Sequence, residues 1–188
     1  MRGQDARSDD ELVAACNVGN ADEATRAFEA LYRRHRDFVL RVARRFTRDR
    51  DLALDALQET FAYLLRKFPP SGDGLVLTAR LQTLLYPVAK NCAISALRKT
   101  RRFPADPDVA ADDLPAPEGL DAAEPIDAAL ASLPAERREV LTLRFVDGLS
   151  LAEIAAALEV PLGTVKSRLH LAIKQLRDDP KIKDLFPS

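Results

Sequence analysis

The chain contains no tryptophan, one methionine, two cysteines, two histidines and seven glycines in 188 residues. Each scarcity excludes something. Cys16 and Cys92 lie far apart, with no cysteine or histidine beside them at metal-ligand spacing, so neither a zinc site nor a disulfide framework is expected. They read as two buried or half-buried thiols. With His35 and His170 as the only histidines, no nucleophile–base pair or metal cluster emerges, and the expectation is a non-enzyme with no catalytic residue, metal or cofactor. No apolar run reaches the roughly 18 residues of a membrane-spanning helix. The N-terminal stretch MRGQDARSDDEL is polar and lacks an apolar signal-peptide core. A cytoplasmic protein without membrane insertion is expected. The loop Pro69-Pro70-Ser71-Gly72-Asp73-Gly74 is not followed by Lys-Ser/Thr, so it is not a phosphate-binding loop.

What the chain does have is apolar residues, 47% of the total, and charge, 30%. The net charge of −1 hides an uneven distribution. Asp106, Asp108, Asp112, Asp113, Glu118, Asp121, Glu124 and Asp127 fall in a stretch without a single base. Setting these eight acids aside leaves +7 on the remainder, and local basic patches are the footprint of a nucleic-acid binder. Residues 104–126 are also rich in proline and have no periodicity. They read as an extended, disordered linker between two helical domains at 9–103 and 127–178, with a short tail at 179–188.

Helical periodicity organises both domains. Ser8 and Glu11 form a capping box for a helix to about Val18, which Gly19-Asn20 ends. A second helix from about Asp22 carries a stripe of Phe28, Leu31, Tyr32, Phe38, Val39, Val42 and Phe46. His35 lies on that stripe, where a satisfied packing role is expected. Arginines fill the gaps between the apolar positions. A third helix, about Arg50 to Phe68, buries Ala53, Ala56, Leu57, Thr60, Phe61, Leu64 and Phe68, and turns Asp55, Gln58, Glu59 and Ala62 outward. A fourth pattern starts at Leu77, runs through Leu81, Leu84, Leu85, Val88, Ala89, Cys92 and Leu97, and ends near Arg102. Pro87 inside it predicts a kink or break near Leu84–Tyr86. Its basic end, with Lys90, Asn91, Ser95, Arg98, Lys99, Arg101 and Arg102, suits a nucleic-acid backbone with some base contact.

In the second domain, Ile126–Leu133 leads to Pro134, expected in a first helical turn. Val140, Leu143 and Phe145-Val146 carry apolar surface to the Asp147-Gly148 stop. Ser150 and Glu153 then make a second capping box, with Leu151, Ile154, Ala155 and Leu158 on one face. Val160-Pro161 breaks that helix and opens another. On its wheel Leu162, Leu169, Ala172, Ile173 and Leu176 cluster about Val165, opposite Thr164, Lys166, Ser167, His170, Leu171 and Lys174. No acid occurs from Pro161 to Arg177. Two helices, a short turn and a basic, hydroxyl-bearing outer face form the helix-turn-helix arrangement, whose second helix fits a major groove. A surface hairpin with a solvated basic face is the plainer alternative.

These features together resemble the extracytoplasmic-function (ECF) group of the sigma-70 family of bacterial RNA polymerase sigma factors, which keep the second and fourth sigma domains. The segment LPAERREVLTLRFVDGLSLAEIAAALEVPLGTVKSRLHLAIKQL is similar to the fourth domain almost throughout. LALDALQETFAYLLRKF is similar to the helix that docks on the polymerase β′ clamp helices. The resemblance implies an all-α fold of two small helical domains. It implies that Asp55, Gln58 and Glu59 face the clamp. It places Ser71, Gly72 and Asp73 in the loop that captures an unstacked base of the −10 element. Lys90 and Asn91 would lie at the upstream edge of the melted region, with Arg98 and Lys99 further along the −10 surface. Lys166, Ser167, Arg168 and His170 would read the −35 element, flanked by Thr164 and Lys174. The family often has Trp-Leu-Tyr before the −10 helix; here Leu84-Leu85-Tyr86 leaves Tyr86 as the aromatic platform. Ser95 stands where Asp is frequent, and Leu171 where Arg is common. The implied partners are core RNA polymerase, through the β′ clamp helices and the β flap, promoter DNA, and an anti-sigma protein. Two alternatives remain at this point: a sigma-like mimic that binds only an anti-sigma protein, and a helix-turn-helix regulator that acts without polymerase.

Overall fold

A computed structural model describes residues 5–102 and 130–178, with the side chains of Arg101 and Arg102 left out. The expected linker at 104–126, the lead-in from Ile126 and the tail at 179–188 lie outside the described residues. Two compact helical units result, treated separately below. Among the described residues there is no strand, which agrees with the all-α expectation.

The first unit holds α1 (Asp9–Val18), α2 (Ala21–Arg44), α3 (Arg50–Leu65) and α4 (Leu81–Arg102). The Ser8 capping box forms as the sequence predicts: the Glu11 N–H donates to Ser8 Oγ at 3.2 Å, and the Ser8 N–H donates to the Glu11 carboxylate at 2.6 Å. Gly19 closes α1 by donating its N–H to the Ala15 carbonyl. A Cβ at Gly19 would meet that carbonyl oxygen at 2.5 Å, so the close approach requires glycine. Asn20 at once caps α2, accepting from the Glu23 N–H at 2.9 Å.

The α2 stripe buries Leu31, Phe38, Val39 and Val42, as expected. His35 is buried among them, its Nε2 2.8 Å from Asp9 Oδ2. The other Asp9 oxygen accepts from Arg34 at 2.7 Å, so one α1 carboxylate bridges two consecutive α2 side chains. Arg34 also donates to the carbonyls of Asp5 and Arg7, tying down the approach to α1. Both cysteines are free: Cys16 is buried and Cys92 half-buried. Burial pushes the Cys16 thiol up to about 11 and raises that of Cys92 too, which makes both poor nucleophiles.

Three expectations about element ends change. The third helix stops at Leu65 rather than Phe68, although Phe68 stays buried through turn bonds from Lys67 and Phe68 to Leu64 and Leu65. The fourth starts at Leu81, not Leu77, because the Pro/Gly loop extends to Arg80. The break expected at Pro87 does not occur; α4 runs unbroken through it. Pro87 forfeits one backbone bond, and the ring clash brings the cost to about 3 kcal/mol. Burial of Leu81, Leu85 and Tyr86 around it outweighs this, at about 1.5–3 kcal/mol for each large side chain.

The second unit enters through Leu133 and Pro134 into α5 (Ala135–Phe145), α6 (Leu151–Leu158) and α7 (Leu162–Asp178). Pro134 is the N-cap of α5 rather than part of its first turn, and its carbonyl accepts from Arg137 and Arg138. Gly148 at φ +70° occupies the left-handed region that the chain needs to reverse after α5. Leu133, Val140, Leu143, Leu149, Ile154, Ala157, Val165 and Ala172 form the buried interior. Phe145 and Val146, expected to add to the apolar surface of α5, lie instead at 63% and 59% exposure beyond it.

His35 carries a pH signature. Burial is the largest influence and lowers its pKa below the ordinary 6.5, against the attraction of Asp9. The unfolded chain therefore takes up a proton that the fold resists, and stability drops as pH falls below about 6.5, by at most about 1.4 kcal/mol per pH unit. Urea titrations followed by circular dichroism should show this slope between pH 6.5 and 5. His35→Gln should flatten it, and an unchanged slope in that variant would assign it elsewhere.

Candidate functional site

Three surfaces collect the residues singled out by sequence. The first lies on α3. Ala53, Ala56, Thr60 and Leu64 are buried, and the Thr60 hydroxyl satisfies itself by donating to the Ala56 carbonyl at 2.6 Å. Phe61 packs edge-on to Phe28 and Tyr32 of α2, with centroids 6.3 and 4.7 Å apart. That packing fixes the rotation of α3 about its axis. Asp55, Gln58 and Glu59 consequently share the solvent face, all three exposed. Spacings of three and four residues make them one patch of two carboxylates and an amide.

The second surface is the loop at 69–80 with the outer side of α4. The Gly72 N–H donates to the Phe68 carbonyl at 2.9 Å and the Gly74 N–H to the Lys67 carbonyl at 3.0 Å. Ser71 and Asp73 project from this turn into solvent, and Gly72 is half-buried. Asn91, Arg98 and Lys99 are exposed along α4, and the half-buried Lys90 holds its ammonium 5.7 Å from the centre of the Phe46 ring. Tyr86 departs from expectation. It was expected as an aromatic platform on this surface, but it is 1% exposed and part of the core. Tyr86 is one residue from Leu85 and three from Ala89, and the buried side of α4 takes all three. One contact had no signal in the sequence. Asn17 at the end of α1 accepts from the Leu75 N–H at 2.9 Å and donates to the Leu75 carbonyl at 2.7 Å, across 58 residues.

The third surface is α7. The second capping box forms, with the Glu153 N–H donating to Ser150 Oγ at 3.2 Å and the Ser150 N–H to the Glu153 carboxylate at 2.7 Å. The turn to α7 is made by Glu159 in the left-handed region, φ +54°, followed by a bond from the Val160 N–H to the Ala155 carbonyl. Pro161 then presents its carbonyl to Thr164 and Val165, standing just before α7 rather than within its first turn. Val165 and Ala172 are buried, and Leu169, Ile173 and Leu176 are half-buried. Leu162, placed on this stripe by the wheel, is 41% exposed at the first position of α7. On the outer side Lys166, Ser167, His170 and Lys174 are exposed and Thr164 is half-buried. Leu171 is exposed among them. Arg168 is half-buried, its guanidinium 2.7 Å from the Glu136 carboxylate on α5. It therefore braces α7 against α5.

Residues 31–103 match the family described as Sigma-70 region 2, and residues 123–176 match Sigma-70, region 4. The ECF RNA polymerase sigma factor SigE of Mycolicibacterium smegmatis is 33% identical over 185 residues, covering 91% of this chain and 68% of that protein. The chain belongs to the ECF sigma factors of the sigma-70 family. The RNA polymerase sigma-H factor of Pseudomonas aeruginosa is 32% identical, over 87% of this chain and 89% of that one. SigW of Bacillus subtilis is 30% identical, over 81% and 90%. Among solved structures, CnrH in complex with the cytosolic domain of CnrY covers 90% of this chain and 96% of its own, with a TM-score of 0.60 at 21% identity, a likeness of fold alone. The α3 patch and the loop at 69–80 fall inside the region 2 match, and α7 inside the region 4 match up to Leu176. Among the described residues of this ECF family member, no helix is long and apolar enough to cross a membrane.

The capping box and the Arg168 brace differ in worth. Ser150→Ala should cost the second unit about 1 kcal/mol, since the Glu153 N–H loses its acceptor. Glu136→Ala should cost less than about 1 kcal/mol, because its carboxylate is largely exposed. Thermal unfolding of the two variants should rank them in that order.

Proposed function

We propose that this chain acts as an alternative sigma factor, joining core RNA polymerase and directing it to promoters with matched −35 and −10 elements. The observation that carries the reading is the α3 patch within a region 2 match. A polymerase-independent DNA-binding regulator has no use for Asp55, Gln58 and Glu59 held together on the solvent face of a core helix. Their two carboxylates suit a basic helical partner, here the β′ clamp helices. The β flap is the further polymerase contact assigned to the second unit.

The α7 face supplies the −35 contact. Lys166, Ser167 and His170 occupy its first turns, the part of a recognition helix that reaches base edges. Lysine to a guanine edge, with hydroxyl and imidazole hydrogen bonds, gives about 1–3 kcal/mol of discrimination per good contact. Thr164 and Lys174 lie at the margins, where phosphate contact sets register. Arg168, held by Glu136, aligns the helix and reaches DNA only by leaving that ion pair.

The loop at 69–80 and the α4 face supply the −10 contact. Ser71, Gly72 and Asp73 offer backbone and side-chain groups to an extruded base. Asn91, Arg98 and Lys99 meet the backbone beyond, with Lys90 beside them. Unstacking a base costs a few kcal/mol, offset by capture in the loop and by docking elsewhere. Residues 9–103 and 127–178 then divide the work, with the acidic stretch between them. An anti-sigma protein that covers these surfaces is the regulation this reading allows.

Run-off transcription with purified core polymerase and a promoter library tests the proposal. Specific starts should appear only when the chain is added. Asp55→Arg combined with Glu59→Arg should abolish core binding and leave binding of −35 duplex intact. Retained core affinity in that double variant would defeat the docking assignment. Lys166→Ala should weaken duplex binding and lower the salt slope by about one ion if the contact is to phosphate.

A further inference from the structure

We infer that Asn17, at the C-terminal end of α1, is a positioning residue for the promoter-reading loop at 69–80. The inference rests on the reading of that loop as the −10 contact. The loop runs for twelve residues without a helix or strand of its own, and loops of that length in compact domains are usually functional. Its first half is tied locally, by the N–H groups of Gly72 and Gly74 to the carbonyls of Phe68 and Lys67. Beyond Gly74 the nearest tie is Asn17. Its amide meets both backbone groups of Leu75, accepting at 2.9 Å and donating at 2.7 Å, in the manner of one rung of a sheet supplied by a side chain.

Two features mark the contact as built for shape. Gly74 has φ +98°, a conformation L side chains rarely adopt, and a Cβ there would stand 3.0 Å from Asn17 Oδ1. The amide thus sits as close to the loop backbone as a residue without a side chain permits. The outer neighbours of the clamp stay in solvent, Val18 86% exposed and Val76 81% exposed, while Cys16 on the inner side is buried and Leu75 half-buried. The clamp therefore stands at the edge of the core. What the clamp does is hold the second half of the loop at one height relative to Ser71 and Asp73. A loop ordered beforehand loses less freedom when it captures a base, and that gain is realised only for the base whose edge matches the held shape. Neither glutamine, one methylene longer, nor aspartate, which lacks the donor, reproduces both bonds at these distances.

The test uses full-length chain, core RNA polymerase and a promoter library randomised separately at the −10 and −35 elements. Asn17→Ala should cut the base preference at the −10 element severalfold, because the loop is no longer held in one shape before it meets the base. Preference at −35 and core affinity should stay at wild-type values, while the thermal midpoint falls by no more than two lost hydrogen bonds allow. Asn17→Asp keeps the acceptor but sets a carboxylate oxygen against the Leu75 carbonyl, where the amide donates at 2.7 Å, and should lose at least as much as Asn17→Ala. Gly74→Ala should reproduce the loss from the other side of the contact. Amide exchange at Leu75 should quicken in Asn17→Ala. A −10 preference unchanged in Asn17→Ala overturns the inference, as does a parallel loss at −10 and −35, which marks a purely structural residue. Wild-type chain that yields no specific starts overturns the sigma reading itself, and is recognised by failing before any variant is compared.

Discussion

The first unit depends on the rotation of α3 about its own axis, and Phe61 sets that rotation. Its ring is gripped edge-on by Phe28 and Tyr32, and Phe28 in turn meets Phe68 at 6.3 Å. Large aromatic surfaces packed at fixed angles leave little freedom for the helix to roll. With Ala53, Ala56, Leu57, Thr60, Phe61 and Leu64 forming one buried arc, the 100° step per residue leaves Asp55, Gln58 and Glu59 on the opposite side. The interior is lined at close contacts by Ala53 and Ala56, where larger side chains would push α3 away from its neighbours. The acidic patch is thus a geometric consequence of the core. A helix that rolled to hide the patch would have to bury two carboxylates and expose an aromatic ring.

In the second unit the equivalent constraint is the turn between α6 and α7. A capping box starts α6, a left-handed Glu159 stops it, and Pro161 admits α7. Holding a glutamate in the left-handed region costs on the order of 1–3 kcal/mol, which the surrounding packing of Ile154, Ala157 and Val165 sustains. The crossing of the two helices follows from that turn, and the Glu136–Arg168 pair adds a second fixed point from α5. Both units therefore present their polar faces through rigid helices, while the loop at 69–80 borrows rigidity from α1.

Much of this was legible in the chain. Both capping boxes, the glycine stop of α1, the buried stripe of α2 with a satisfied His35, and the two-faced α3 all follow from residues within one or two helical turns of each other. The outward set on α7 was legible for the same reason, including the exposed Leu171. What misled was information that depends on neighbours distant in sequence. Pro87 reads as a helix breaker because its cost is local, whereas the burial of Leu85 and Tyr86 that overrides it is tertiary. Tyr86 reads as a surface aromatic by resemblance to the family, and a resemblance does not say which side of α4 meets α2 and α3. Leu162 reads as core because periodicity assigns a face and not the burial of a helix's first residue.

The sequence by itself determined where helices begin, which faces are apolar and which residue types stand on the opposite faces. Capping and periodicity act over three to seven residues, so they are written in consecutive letters. Only the tertiary structure decided which polar groups pair across distant parts of the chain. Arg168 turned to Glu136, Asp9 shared between Arg34 and His35, and Asn17 joined to Leu75 are pairings across 32, 25, 26 and 58 residues. Such pairs are selected by distance in space after the cores have formed, and a polar side chain carries no local mark of the partner it will meet.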